Sequence, residues 1–144
     1  MEFELGTIKV EAQLLNEEQE KVESLQDVSL RYNTLGYEQK EHFYALFLDA
    51  GNNVLGDKLL GLGDESSAPA DQKDLVRTAA LVNAAAVILV HNHPSSNPDP
   101  TQQDIEITQK IHDLLDKINV QLLDHVIISR NQNHSMKRKN NGPF

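Results

Sequence analysis

The sequence predicts an α/β domain in which a mixed β-sheet is flanked by helices. Segments with strand-like and helix-like apolar periodicity alternate along the chain, in the order strand, hairpin, helix, strand, helix, strand. One short apolar run is typical of a strand buried on both faces. A length of 144 residues suffices for one domain with a substantial core. We therefore expect a single domain over 1–144, with its core in 28–136.

The front of the chain carries the weakest signals. We expect residues 1–27 to form an N-terminal arm, with a short strand in 3–10. A largely exposed helix rich in Glu and Gln is expected in 12–26. Apolar and polar residues then alternate over 28–32, which predicts the first strand of the core.

The middle of the chain predicts a hairpin followed by a helix. Residues 41–49 are apolar on both faces, which predicts a central strand. Ala-Gly-Asn-Asn at 50–53 supplies a turn, and 54–62 is expected to form the antiparallel return strand. A loop follows in 63–70. The apolar residues of 71–83 recur close to helical spacing behind an acidic start, which predicts an amphipathic helix.

The last part of the chain repeats the alternation of strand and helix. The apolar run 84–90 predicts a buried strand, and 101–118 carries a helical stripe of Ile and Leu that stops near Asn119. A largely apolar strand is expected in 120–129. The polar, basic end of the chain is expected to be a flexible tail over 137–144.

The composition limits the classes of function. The net charge is −9 and the pI about 5.0, whereas a broad nucleic-acid-binding surface needs clustered Lys and Arg. The chain has no Cys, so a disulfide framework, a thiolate zinc site and a cysteine nucleophile are excluded. The acidic N-terminus lacks the apolar region of a signal peptide, and no apolar run approaches the ~20 residues of a membrane span. The simplest expected location is the cytoplasm.

The most informative stretch is VHNHPSSNPDPTQQDI, residues 90–105. His91 and His93 end the buried strand, and side chains two apart on an extended backbone point the same way. A Pro-rich loop then leads to Asp104 at the start of the next helix. Two imidazoles and one carboxylate, with a fourth position open, form a zinc site of the catalytic type. A second interpretation is compatible with it, because Thr101 and Asp104 also fit a helix N-cap and capping box.

At these residues the chain resembles the JAB/MPN domain with its JAMM metal-binding motif, and in particular the RadC subfamily. That subfamily's pattern reads H-N-H-P-S-G-D-P-x-P-S-x-x-D. Here Ser96 replaces the Gly, Asn97 the Asp and Thr101 the Ser, while no metal ligand departs from it. The resemblance covers about 28–136. It implies a sheet flanked by helices, similar to the cytidine-deaminase architecture, and full-length relatives carry an N-terminal helical segment that we do not expect here.

The resemblance implies a zinc-dependent hydrolase that cleaves a peptide or isopeptide bond. One zinc ion per chain would be held by His91, His93 and Asp104. Glu41, which begins the E-x-F-x-x-L-x-L-D stretch of the RadC-like pattern, would be the general base. Without the resemblance, Glu41 would be interpreted as a polar residue at the entry of a strand. The hydroxyl of Thr101 would stabilise the oxyanion.

Several alternatives stay open at this stage. The protein could be a non-catalytic JAB/MPN binding module, or a DNA-repair-associated RadC-like factor, although the acidic composition does not support DNA binding. The expected partner is a peptide or protein substrate, and a homo-oligomer is compatible with the sequence. His125 follows Asp124 in an otherwise apolar strand. It either orients a ligand imidazole or makes structural hydrogen bonds.

Overall fold

The computed structural model describes residues 20–63 and 70–144 of the chain. These segments contain three α-helices, one short 3₁₀ helix (Asn33–Tyr37) and five strands. In chain order the α-helices and strands are α1 (Leu25–Arg31), β1 (Glu41–Leu48), β2 (Val54–Gly63), α2 (Gln72–Leu81), β3 (Ala86–Asn92), α3 (Gln102–Asp116), β4 (Gln121–Ile128) and β5 (Asn133–Ser135).

The five strands form one mixed sheet in the order β2-β1-β3-β4-β5. β1 pairs antiparallel with both β2 and β3, and β4 pairs antiparallel with β5. β3 and β4 are parallel, and α3 makes the crossover that a parallel pair requires. The predicted mixed sheet flanked by helices is therefore confirmed.

Both faces of the sheet are covered. On one face, alternate residues of β1 and β3, such as Phe47 and Leu89, pack with residues of α2 and α3. On the other face, Leu46 and Ile88 pack with Val28 of α1 and with the 3₁₀ helix. All seven residues of β3 are buried. Each fully buried aliphatic or aromatic side chain stabilises the fold by ~1.5–3 kcal/mol relative to an exposed one. The apolar residues of β3 therefore hold this strand, and the motif at its end, firmly in the sheet.

The predicted hairpin and two predicted helices are confirmed, and their ends have local causes. Asp71 caps α2, with its side chain accepting a hydrogen bond from the backbone N–H of Asp74. Asn83 and Asn119 follow α2 and α3 with left-handed φ angles of 53° and 57°. Asn tolerates this conformation better than most residues, which explains why the helical pattern stops at Asn119.

The strand predicted over 28–32 is wrong, because these residues belong to α1 and its C-terminal cap. Ser24 caps α1 and makes a reciprocal capping box with Asp27. Val28 and Tyr32 are buried, whereas Leu30 is 64% exposed. Residues four apart share one face of a helix, whereas a half-buried strand would place all three side chains on the same face. The strand expected over 3–10 lies outside the described residues, and the helix expected over 12–26 lies mostly outside them. In the described part of 12–26, residues before Leu25 are not helical, and Lys21 forms an isolated bridge with Asn53.

The C-terminal segment is more structured than its polar composition predicts. β5 extends the sheet, and Met136 is fully buried after it. The basic cluster that follows, Lys137 to Lys139, is exposed. Phe144 packs against the core face that holds α2 and α3.

Candidate metal centre

Two imidazoles meet at the end of β3, as the sequence predicts. His91 is the penultimate residue of the strand, and His93 follows it directly. Both are buried, and their ring centroids lie 4.8 Å apart. The ring of Phe43 on β1 stacks on His91 with a centroid distance of 5.4 Å. The strand therefore holds both imidazoles on the face of the sheet that α3 covers.

The first turn of α3 brings Asp104 to the two imidazoles. Its Oδ2 lies 3.0 Å from His93 Nε2, and its Oδ1 lies 3.3 Å from His91 Nε2. The capping box holds this carboxylate in place, since the backbone N–H of Thr101 donates to Oδ2 at 2.8 Å. Helix capping therefore holds the carboxylate of Asp104 beside the two imidazoles, so the two interpretations of the motif are compatible.

Glu41 joins the same cluster from the neighbouring strand. Candidate ligand atoms of Glu41, His91 and His93 all lie within 4.8 Å of one another. The antiparallel register explains this, because Phe43 pairs with His91 and Glu41 lies two residues further toward His93. The structure therefore brings together all three predicted metal ligands and the predicted general base. Either carboxylate could complete a metal site with the two imidazoles.

The outer nitrogen of His93 is fixed by the loop that follows it. His93 Nδ1 donates to the carbonyl oxygen of Asn97 at 3.1 Å, so Nε2 faces Asp104. An outer hydrogen bond from a ligand imidazole to a backbone carbonyl is the usual arrangement at metal sites. The loop therefore presents the correct nitrogen of His93 to the centre.

The donor set fits a divalent metal ion. His91 Nε2 is buried and has no hydrogen-bond partner among residues 20–63 and 70–144. A buried nitrogen aimed at a carboxylate, yet without a hydrogen bond, is what a metal-binding imidazole presents when its lone pair faces the site. Imidazole and carboxylate ligands suit zinc and would also accept cobalt or manganese.

The carboxylates and His93 have shifted pKa values. Burial opposes ionisation of Asp104, but the neighbouring imidazoles of His91 and His93 outweigh burial and hold its pKa well below the usual value. Burial raises the pKa of Glu41, and the nearby charges of His91 and His93 only partly offset this. Burial lowers the pKa of His93, but the hydrogen bond to Asp104 and its negative charge prevail and raise it.

We expect zinc affinity to rise with pH. In the metal-free protein the pKa of His93 is raised, and its imidazolium form must release the proton from Nε2 before it can bind a metal. Below its raised pKa the logarithm of the binding constant should increase by about one per pH unit. The contribution of the His93–Asp104 pair to folding stability changes with pH in the opposite direction, because the pair stabilises the fold while His93 is protonated. It is fully present below about pH 6.5 and is lost as the pH rises through the raised pKa.

Chelator-competition titrations from about pH 6 to pH 9 check this expectation. An affinity for zinc that did not change with pH across this range would contradict it. The metal-free protein, denatured with urea at the same pH values, provides the matched measurement of stability.

Thr101 caps α3, as the local motif predicts. Its hydroxyl oxygen accepts a hydrogen bond from the backbone N–H of Asp104 at 3.1 Å. We expect Thr101→Ala to lower the free energy of unfolding by ~0.5–2 kcal/mol, the usual effect of losing an N-cap. Thr101→Ser keeps the hydroxyl and should lose little. Urea denaturation of the metal-free proteins measures both, and equal stability of wild type and Thr101→Ala would contradict the capping role.

Two residues that support the site were not singled out in the sequence. The side chain of Asn92 is fully buried and holds the backbone on both sides of Glu41: its Oδ1 accepts from the N–H of His42 at 2.7 Å, and its Nδ2 donates to the carbonyl of Lys40 at 3.0 Å. Thr108 is fully buried one helical turn after Asp104. Both were detectable, because a polar residue within an apolar strand or stripe needs a buried partner.

His42 and His125 occupy contrasting positions. His42 points to the opposite face from Glu41, where it stacks on Tyr44 with ring centroids 6.4 Å apart. His125 lies beside the centre, with its Nε2 2.7 Å from His91 Nδ1. The sequence leaves two roles open for His125, and the first of them requires a contact with the imidazole of a predicted ligand. The contact with His91 meets this requirement.

No helix within the described segments has the length and apolarity that a bilayer crossing requires.

Comparison with known proteins places these features in a family. The RadC-like JAB domain matches residues 20–141. A UPF0758 protein of Desulforudis audaxviator is 41% identical over 101 residues, which are 70% of this chain and 44% of that protein. A UPF0758 protein of Methanosarcina mazei is 32% identical over 124 residues, 85% of this chain and 54% of that protein.

A third relative, a UPF0758 protein of Coprothermobacter proteolyticus, is 35% identical over 102 residues, 71% of this chain and 43% of that protein. The chain thus spans about half the length of the curated relatives it matches. The match covers all five strands and the four residues of the centre. The chain belongs to the family of the RadC-like JAB domain.

Proposed function

We propose that the chain is a JAMM-type, zinc-dependent hydrolase that cleaves a peptide or isopeptide bond. One observation carries the proposal: the carboxylate of Glu41 lies beside two buried imidazoles that Asp104 also contacts. Two carboxylates with opposite pKa shifts in one cluster are typical of an ionised ligand beside a proton-transfer group.

The roles of the residues follow from their positions. His91, His93 and Asp104 would hold the zinc ion, since Asp104 is the carboxylate in contact with both imidazoles. When bound, zinc would supply Lewis-acid polarisation of an attacking water and of the scissile carbonyl. Asp104 stays ionised throughout the working pH range because its pKa is lowered.

Glu41 would move the proton. It is partly buried, and burial raises its pKa toward the working pH, which favours efficient general acid–base catalysis. Its carboxylate would accept a proton from the attacking water and then deliver that proton to the leaving amine. Asn92 supports this role, because its amide holds the backbone on both sides of Glu41.

Thr101 would contribute a hydrogen bond to the oxyanion. Capping uses the oxygen of its hydroxyl as an acceptor and leaves the hydroxyl proton free for a second partner. Thr101 is exposed at the start of α3, where a substrate carbonyl could reach it. The helix N-terminus also favours developing negative charge.

The test is hydrolysis of a mixed peptide and isopeptide library by the zinc-loaded protein, followed by mass spectrometry. We expect cleavage that a chelator removes and added zinc restores. His42→Gln is the matched control, because His42 neighbours Glu41 but faces away from the centre. Zinc binding without cleavage would instead favour a binding module. Metal-stimulated nicking of DNA, lost at high salt, would favour the DNA-associated alternative.

A further inference from the structure

A fully buried histidine stands behind the metal centre. His125 lies on β4, paired in register with Leu89 of β3, and is 0% exposed. Its two ring nitrogens have different partners. Nε2 lies 2.7 Å from His91 Nδ1, and Nδ1 lies 2.6 Å from the hydroxyl oxygen of Thr108. The Phe43 ring packs against it in an edge-to-face arrangement with centroids 5.3 Å apart, so the imidazole is held from several sides.

The hydroxyl of Thr108 sets the direction of these hydrogen bonds. It donates to the backbone carbonyl oxygen of Asp104 at 2.5 Å, and a carbonyl can only accept. Met136 Sδ, at 3.8 Å, is a much weaker acceptor for the same proton. A hydroxyl has one proton, so toward His125 its oxygen must accept. His125 Nδ1 therefore carries a proton and donates it to Thr108.

The remaining nitrogen of His125 is an acceptor. Among the residues that the structure describes, no carboxylate contacts this buried ring, so no ion pair stabilises an imidazolium and the ring is neutral. A neutral ring protonated at Nδ1 has its lone pair on Nε2. His91 Nδ1 must then donate to His125.

We propose that His125 is a positioning residue that fixes the Nδ1–H tautomer of His91 and so aims the lone pair of His91 Nε2 into the metal centre. This accounts for the buried His91 Nε2, which faces Asp104 Oδ1 at 3.3 Å without a hydrogen bond. The chain of hydrogen bonds starts at the carbonyl of Asp104 and ends beside its carboxylate. It thus couples the helix that carries one ligand to the ring of another.

The proposal rests on the proposed metal centre for its purpose, but the tautomer is measurable without metal. The experiment uses the full chain labelled with ¹⁵N-histidine, metal-free, at about pH 9, well above the ordinary imidazole pKa. Long-range ¹H–¹⁵N spectra, assigned with His91→Ala, should show His91 protonated at Nδ1. In His125→Phe this preference should disappear. His91 protonated at Nε2 in the wild-type protein would overturn the inference.

Zinc affinity gives the second readout. We expect His125→Phe to weaken zinc binding by about 10–100-fold, the usual effect of losing an outer hydrogen-bond partner. His134→Phe is the matched control, a buried histidine of β5 whose Nε2 bonds Asn141 Oδ1 at 2.7 Å. It should leave both the affinity and the His91 spectrum unchanged. Equal affinities in wild type and His125→Phe would also overturn the inference.

A second pair of variants serves if His125→Phe does not fold. Thr108→Val removes the hydroxyl that orients His125, whereas Thr108→Ser keeps it. Thr108→Val should shift the His91 tautomer and weaken zinc binding, and Thr108→Ser should recover most of both. Equal effects of Val and Ser would contradict the inference. If the wild-type protein bound no zinc, the proposed hydrolase would fail, while the spectrum of His91 would still decide the role of His125.

Discussion

Replacing Glu41 with glutamine is expected to remove most of the hydrolysis while zinc stays bound. The amide keeps the shape of the side chain but cannot accept a proton from water, whereas burial raises the pKa of the Glu41 carboxyl toward the range in which a general base works. General acid–base catalysis contributes about 10²–10⁴-fold, so kcat should fall by that factor. The two imidazoles and Asp104 are unchanged in this variant. The bound metal, measured by elemental analysis, should therefore remain about one per chain.

Glu38→Gln is the matched control for this variant. Glu38 is an exposed acidic residue just before β1, so its replacement makes the same chemical change outside the centre. It should leave both zinc content and kcat unchanged. Loss of zinc from Glu41→Gln would identify Glu41 as a ligand, which its distance to the imidazoles also permits. Full activity of the zinc-loaded variant would end its assignment as general base.

Replacing Asp104 with asparagine is expected to abolish zinc binding and, with it, all activity. The amide has no negative charge to bind the ion, and Asp104 contacts both imidazoles. The loss of affinity should exceed the ~100-fold upper range for outer partners, because a ligand itself is changed. Asparagine can still accept the hydrogen bond from the backbone N–H of Thr101, so α3 should keep its cap.

Chelator competition and thermal unfolding with and without zinc measure this effect. A ligand that binds only the folded state raises the melting temperature, so zinc should stabilise the wild-type protein and leave Asp104→Asn unaffected. Asp116→Asn, at the exposed end of the same helix, is the matched control and should behave like the wild type. Tight zinc binding by Asp104→Asn would show that the imidazoles and Glu41 suffice.

The motif of the centre was readable from sequence because its parts are contiguous. His91 lies near the end of β3, His93 follows that strand directly, and Asp104 lies in the first turn of the helix after a short loop. Each step is local: a two-residue period, a stiff loop and a capping box. The same local logic fails over 28–32, since residues four apart share a face both in a strand and in a helix. The capping box of Ser24 and Asp27 is the local signal that distinguishes the helix from the strand.

Only the tertiary structure decided what surrounds the motif. Glu41 reaches the centre through the register in which Phe43 pairs with His91. His125 stands behind His91 because β4 lies parallel to β3, and Thr108 reaches His125 because α3 packs over that pair. Register and packing are set by the summed burial of both sheet faces, which no local pattern encodes. Local spacing in the sequence therefore determined the proposed metal ligands, and the packing of distant strands determined which groups would orient these ligands and exchange protons.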